Sequence, residues 1–207
     1  FISRTEGGNG KGVWEPLSSH EAKKAQGQQG IAARRALDPA ARQAADAAIC
    51  ARIASLPAWQ AAKRVLGYAA FGGEPDLSAL LEGPEGRLHG AAWPVCGPDC
   101  TMTAARPHPE KGWETGAYGI RAPVLERAEI FPPETLDLVL VPCTAFDEAC
   151  RRVGMGKGYY DRYLPRCTGA AVYGVAYEVQ KVEAAAAGPL DIRLDGVITE
   201  RGIYRWK

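Results

Sequence analysis

The chain has 207 residues, 46% of them apolar, with 25 Lys and Arg against 24 Asp and Glu. That length and apolar content suit one packed domain, and the net charge of +1 supplies no bulk field to hold nucleic acid or an anionic membrane. No apolar run approaches the roughly 20 residues of a spanning helix and no basic-then-apolar signal opens the chain, so a soluble, cytoplasmic protein is expected. Six cysteines, at 50, 96, 100, 143, 150 and 167, are too few for a disulfide scaffold. Cys96 and Cys100 come nearest to a metal hook, but no second pair follows and His20, His89 and His108 are scattered, so structural zinc is not expected.

Residues 1–20 read as a flexible N-terminal segment, Gly-rich and aperiodic from Glu6 to Lys11, and residues 21–207 as one domain. Gly10, Lys11 and Gly12 lack the preceding strand and following hydroxyl of a phosphate loop. From His20 to Leu37 helix formers carry a basic face (Lys23, Lys24, Arg34, Arg35), interrupted by Gly27 and Gly30. Each glycine costs about 1 kcal/mol against Ala, which predicts a frayed or kinked helix unless it docks firmly. Asp38 and Pro39 form a cap and a first-turn proline, and Ala45, Ile49, Ile53 and Leu56 then recur at helical spacing.

Arg64 to Phe71 has the apolar character of a buried strand, ending in the turn formers Gly72, Gly73, Glu74 and Pro75. Leu77 to Leu81 predicts a short helix, and Leu88 to Val95 and Thr101 to Ala105 two weaker strands. The Pro and Gly load from Arg106 to Pro133 predicts a long irregular connection. Leu136 to Val141 and Ala170 to Tyr177 read as buried strands, with one or two more from Val197 to Trp206. Strands alternating with helices imply an α/β protein: a single three-layer α/β/α domain with a mostly parallel central sheet.

The densest chemistry lies between Phe146 and Leu164. Gly154, Gly156 and Gly158 alternate with Met155 and Lys157 ahead of a helical turn from Tyr159. Alternate glycines let successive N–H groups converge on an anion, a helix N-terminus adds partial positive charge, and Lys157 and Arg152 add full charges. The spacing fits neither a Walker A loop nor a dinucleotide fingerprint. Spacing alone leaves two readings open, a phosphate cradle or a flexible turn with a solvated lysine.

Taken whole, VPCTAFDEACRRVGMGKGYYDRYL, residues 141–164, closely resembles the signature of the 5-formyltetrahydrofolate cyclo-ligase (5,10-methenyltetrahydrofolate synthetase) family. Weaker echoes follow in order: Lys23 with Arg34 to Leu37, Phe71 to Glu74, Tyr118 to Ile120 before Pro123, and Asp191 to Thr199. The resemblance covers about residues 21–207. It implies ATP-dependent closure of 5-formyltetrahydrofolate to 5,10-methenyltetrahydrofolate, with release of ADP and phosphate, by a monomer that binds neither nucleic acid nor membrane. Residue by residue it implies that Arg152 and Lys157 are catalytic. Lys23, Arg152, Gly154, Met155, Gly156, Lys157, Gly158, Tyr159 and Tyr160 would hold ATP. Glu74, Tyr118 and Tyr159 would hold the reduced folate, and Asp161 and Asp191 would hold Mg²⁺.

Three positions depart from the family pattern: Gly27 replaces a phosphate-binding Arg, Gly30 an apolar helix residue and Ala122 a Glu. They motivate a competing reading, a folate- or nucleotide-binding protein of the same fold whose turnover is impaired by its interrupted first helix. A third reading is an unrelated small-molecule kinase using the glycine loop.

Overall fold

The computed structural model describes residues 2–4, 14–16, 19–188 and 191–206; the stretch from Glu6 to Lys11 lies outside the described residues. Strands β1 (Ile2–Arg4) and β2 (Trp14–Pro16) pair antiparallel. Helix α1 (Ser19–Arg35) runs unbroken through both of its glycines, so the expected fraying does not occur. At Gly27 and Gly30 the helix meets Thr144 with no side chain between them, and this contact needs the absence of a β-carbon at Gly30.

Helix α2 (Pro39–Ala54) begins as its sequence dictates: the Asp38 carboxylate accepts from the N–H groups of Ala40 and Ala41, and Pro39 fills the first turn. It buries Ala45, Ile49 and Ile53, and α3 (Pro57–Ala61) adds the buried Trp59. Strand β3 is only Val65–Leu66, shorter than the apolar run suggests, because after the Gly67 N–H bonds to the Ala92 carbonyl the chain leaves the sheet. Then come α4 (Ser78–Leu81), α5 (Pro84–Leu88), β4 (Ala91–Cys96) and β5 (Met102–Arg106).

The connection from Arg106 to Pro133 is more ordered than its Pro and Gly content predicts. It holds an antiparallel hairpin, β6 (Trp113–Thr115) with β7 (Arg121–Pro123), and an edge strand, β8 (Glu129–Phe131). Trp113 anchors the hairpin, edge-on to Trp93 at 4.9 Å and stacked under the Arg121 guanidinium at 3.7 Å. The chain continues through β9 (Leu138–Pro142), β10 (Ala145–Phe146), β11 (Arg152–Val153), α6 (Tyr159–Tyr163), β12 (Ala171–Val175), β13 (Gly196–Ile198) and β14 (Ile203–Arg205).

Eight strands form the central sheet in the order β14, β13, β12, β9, β3, β4, β5, β8. The inner pairings from β13 to β4 are parallel and the outer ones antiparallel. Period-2 alternation divides its residues between two cores. Leu138 and Leu140 pack with Ile49, Ile53 and Trp59 on one face, Val139 and Val141 with Tyr163 and Leu164 on the other. These are the three expected α/β/α layers. Because β3, β9 and β12 run parallel, the segments leaving their carboxyl ends (71–74, 143–154 and 177–180) gather along one edge of the sheet, the usual location of a ligand crevice in such folds.

Candidate active site

The glycine loop leaves the β10–β11 hairpin, whose turn is tied by Asp147. This buried carboxylate accepts from the Arg151 N–H at 3.0 Å, the Arg151 Nε at 2.8 Å and the Ala185 N–H at 2.9 Å. Arg152 follows on β11 with a side chain only 4% exposed. Its Nη2 donates to Asp161 Oδ1 at 2.8 Å, its guanidinium lies 5.7 Å from the Tyr160 ring centre, and its buried Nε has no partner among the described residues. A buried guanidinium with an unspent donor is costly to leave alone and favours an incoming acceptor.

The loop's first carbonyls are turned inward: the Thr144 hydroxyl donates to Val153 O at 2.9 Å and approaches Gly154 O at 3.3 Å. Arg162 Nη1 donates to the carbonyls of Lys157 and Gly158 at 3.1 and 3.2 Å. Gly156 and Gly158 adopt φ values of +83° and +71°, conformations a side chain disfavours. Among the described residues, no acceptor engages the backbone N–H groups from Gly154 to Tyr160. With the exposed Lys157 they make a row of unengaged donors, the arrangement that the cradle reading of the spacing requires. Helix α6 is only five residues long, so its dipole adds less than expected.

Lys23 projects from α1 to Asp191 Oδ2 at 2.5 Å, and the same carboxylate accepts from the Gly188 N–H. Gln26, one helical turn on and buried, clamps the same segment. Its Nε2 donates to Ala184 O at 2.8 Å and its Oε1 accepts from Ala186 N at 2.7 Å. The first helix is thus docked on the loop side of the sheet, with Lys23 at its edge.

Glu74 occupies the end of the turn after β3, 8% exposed. Its Oε2 accepts from the Phe71 N–H at 3.1 Å, and Oε1 lies 3.7 Å from Arg34 Nη2. Burial pushes its carboxyl above the ordinary range and Arg34 opposes that shift. Burial and then the charge of Glu74 push the Tyr160 phenol up, and the Arg152 guanidinium, 5.7 Å from its ring centre, opposes that shift. Tyr118 caps the hairpin at a φ of +61° and is 56% exposed. Tyr159 donates to it, and that bond raises the Tyr159 phenol to about 12. Ala122, where the family pattern has Glu, is buried within the hairpin against Gly116.

Two groups therefore form on one sheet edge: Arg152, Asp161, Lys157 and the loop amides, and Glu74, Tyr160, Tyr159 and Tyr118. Among the described residues no three His, Cys, Asp or Glu side chains cluster as a metal cage. Asp161 and Asp191 are each paired with a cation and partly open, 27% and 17% exposed. Sequence reasoning gave no part to Arg34, Gln26, Thr144 or Asp147. Arg34 had figured only on the basic face of the first helix, and Asp147 left a trace in its four-residue spacing to Arg151.

The profile of the 5-formyltetrahydrofolate cyclo-ligase family matches residues 19–200. The 5-formyltetrahydrofolate cyclo-ligase of Escherichia coli K12 is 29% identical over 177 residues, 84% of this chain and 97% of its own. The Aquifex aeolicus 5,10-methenyltetrahydrofolate synthetase structure superposes with a TM-score of 0.77 at 31% identity, covering 92% of this chain and 94% of that one. The Mycoplasma pneumoniae synthetase shares the fold, with a TM-score of 0.67 at 24% identity over 89% of this chain and 99% of that one.

Proposed function

The chain belongs to the 5-formyltetrahydrofolate cyclo-ligase family, and from that premise we propose that it closes 5-formyltetrahydrofolate to 5,10-methenyltetrahydrofolate at the cost of one ATP. The observation that carries the nucleotide half is Arg152: a buried guanidinium with an unpartnered Nε beside a run of free backbone N–H groups. Such a cradle stabilises a transferring phosphoryl group by placing charge and fixed dipoles where negative charge develops.

In this reading the triphosphate lies along Gly154 to Tyr160, with Lys157 and Arg152 on its terminal phosphate and Lys23 reaching in from α1. The formyl oxygen of the folate attacks the γ-phosphorus, and the bond to the β-bridging oxygen breaks to release ADP. N10 then attacks the activated carbon and loses its proton, and the carbon–oxygen bond breaks to release phosphate. Glu74 accepts from the donor edge of the pterin, while Tyr118 and Tyr159 supply ring faces. Positioning and charge neutralisation dominate this chemistry.

Asp161 and Asp191 offer hard oxygen donors that suit Mg²⁺ held chiefly by phosphate oxygens and water, and the absence of a third acid among the described residues accords with such an open site. When bound, the ion neutralises charge on the β- and γ-phosphates. Asp161 and Asp191, which pair with Arg152 and Lys23, would hold it. We assign the protein to the cytoplasm as a monomer; no helix among the described residues is long and apolar enough to cross a membrane.

The binding-protein alternative drew on an interrupted first helix, and the continuous, docked α1 removes that premise. Purified protein with 5-formyltetrahydrofolate should develop the methenyl absorbance only when ATP and a divalent ion are both present. Equal product without nucleotide overturns the reading, and binding of both ligands without product would restore the alternative.

A further inference from the structure

Arg34 is 1% exposed and has no place in the chemistry above. A buried guanidinium is retained where several acceptors converge on it, and here they come from two elements of the site. Its Nε donates to Gly72 O at 3.1 Å and its Nη2 to Phe71 O at 3.3 Å, both within the turn that carries Glu74. Its Nη1 reaches Cys143 O at 3.5 Å, at the start of the segment leading to the glycine loop. Nη2 also faces Glu74 Oε1 at 3.7 Å, an ion-pair distance rather than a hydrogen bond, which leaves that oxygen free to accept from a ligand.

We propose that Arg34 is a positioning residue for the folate: from inside the fold it keeps Glu74 ionised and aims the carboxylate at the donor edge of the pterin. An acid can accept two pterin N–H donors only as a carboxylate. At 8% exposure burial drives Glu74 toward its neutral form, and Arg34 is the cation that opposes this. The other groups around the pair are Tyr68, Tyr160, Tyr177 and Cys143, neutral at physiological pH, Arg35, which repels Arg34, and Arg42, which donates to the Arg34 carbonyl and lies against Gly73, while Arg34 is the cation whose field bears on Glu74. The Arg34 charge is therefore the chief local support for the anion. The proposal rests on the family reading above, which places the pterin at Glu74.

The test is the pH dependence of KM for 5-formyltetrahydrofolate in the wild type, Arg34→Gln and Arg34→Met. Expected in both variants is an upward move, by one pH unit or more, of the pH below which this KM rises, with KM for ATP within twofold of wild type throughout. An unmoved profile, or equal rises in both KM values, overturns the proposal. A variant that fails to fold does not end the test. The ¹³C carboxyl resonance of Glu74 in the unsubstituted protein, assigned by its loss in Glu74→Gln, should titrate below neutrality; a carboxyl still protonated at pH 7 overturns the proposal. That titration needs no turnover, so failure of the cyclo-ligase assay itself is distinguishable.

Discussion

The carbonyl oxygen of Thr144 lies 1.8 Å from the point a β-carbon on Gly30 would occupy. By helix propensity alone Gly30→Ala should stabilise by up to about 1 kcal/mol. The overlap with backbone reverses the sign, because α1 must lift off the segment that begins the glycine loop. Gly30→Ala should destabilise by about 2 kcal/mol. At Gly27 the nearest atom to such a carbon is the Thr144 hydroxyl at 3.4 Å, so Gly27→Ala should be neutral or mildly stabilising. Urea unfolding of the two variants checks this, and a stabilised Gly30→Ala would contradict the packing.

Lys157 is exposed and ion-paired with nothing among the described residues, so its removal should leave folding unchanged. Lys157→Ala should lower kcat/KM by a factor of order 100, since a charged donor to a transferring phosphoryl group stabilises its transition state by several kcal/mol. Steady-state kinetics with ATP varied decide the matter. Near-full activity would return Lys157 to the role of a solvated lysine.

Glu74→Ala should weaken folate binding and spare ATP. Loss of an acceptor from a buried pterin edge leaves donors unpaired, at about 1–3 kcal/mol, so the folate Kd should rise roughly 5- to 150-fold. Calorimetry with each ligand separately measures it. A loss confined to ATP would show that Glu74 serves the nucleotide.

Asp46 accepts from the Tyr177 hydroxyl at 2.6 Å and from the Asp76 N–H at 3.1 Å, and burial pushes its carboxyl above the ordinary 3.8. A carboxyl raised on folding binds its proton more tightly in the native state. Its stabilising contribution is therefore complete below pH 3.8 and is lost as pH rises through the folded value. Asn can still accept both bonds but cannot titrate. The stability of the wild type relative to Asp46→Asn should accordingly fall as pH rises above 3.8; a rising difference would place the carboxyl below its ordinary value.

Local pattern made α2 legible, through the Asp38 cap and the spacing of Ile49 and Ile53, and it made β9 legible as an apolar run. The glycine loop stood out as a feature, but its spacing alone left a phosphate cradle and a flexible turn both open, and the family resemblance chose between them. What pattern could not convey were contacts between distant segments. The glycines of α1 look like defects until Thr144 is brought against them. Arg34 looks like part of a solvated basic face until the turn at Phe71 and Gly72 and the end of β9 close over it. The hairpin at Trp113 was hidden by its glycines and prolines, and Trp93, Trp113 and Arg121 supply the order that local propensity does not.

The docking of α1 also bears on how the chain reaches this state. Gln26 bonds to Ala184 and Ala186, 158 and 160 positions away, so the helix closes one of the longest loops in the molecule. Synthesis delivers the helix long before Ala184 and Ala186. Its stripe of Gln, Gly and Ala with flanking cations, Gln26 to Ala33 between Lys24 and Arg34, presents little apolar surface while it waits. A polar early helix of this kind can remain exposed without recruiting other chains, and the loop-closure entropy of its docking falls at the end of folding rather than the beginning. The docking that sets Lys23 beside Asp191 therefore waits until that distant segment has been made.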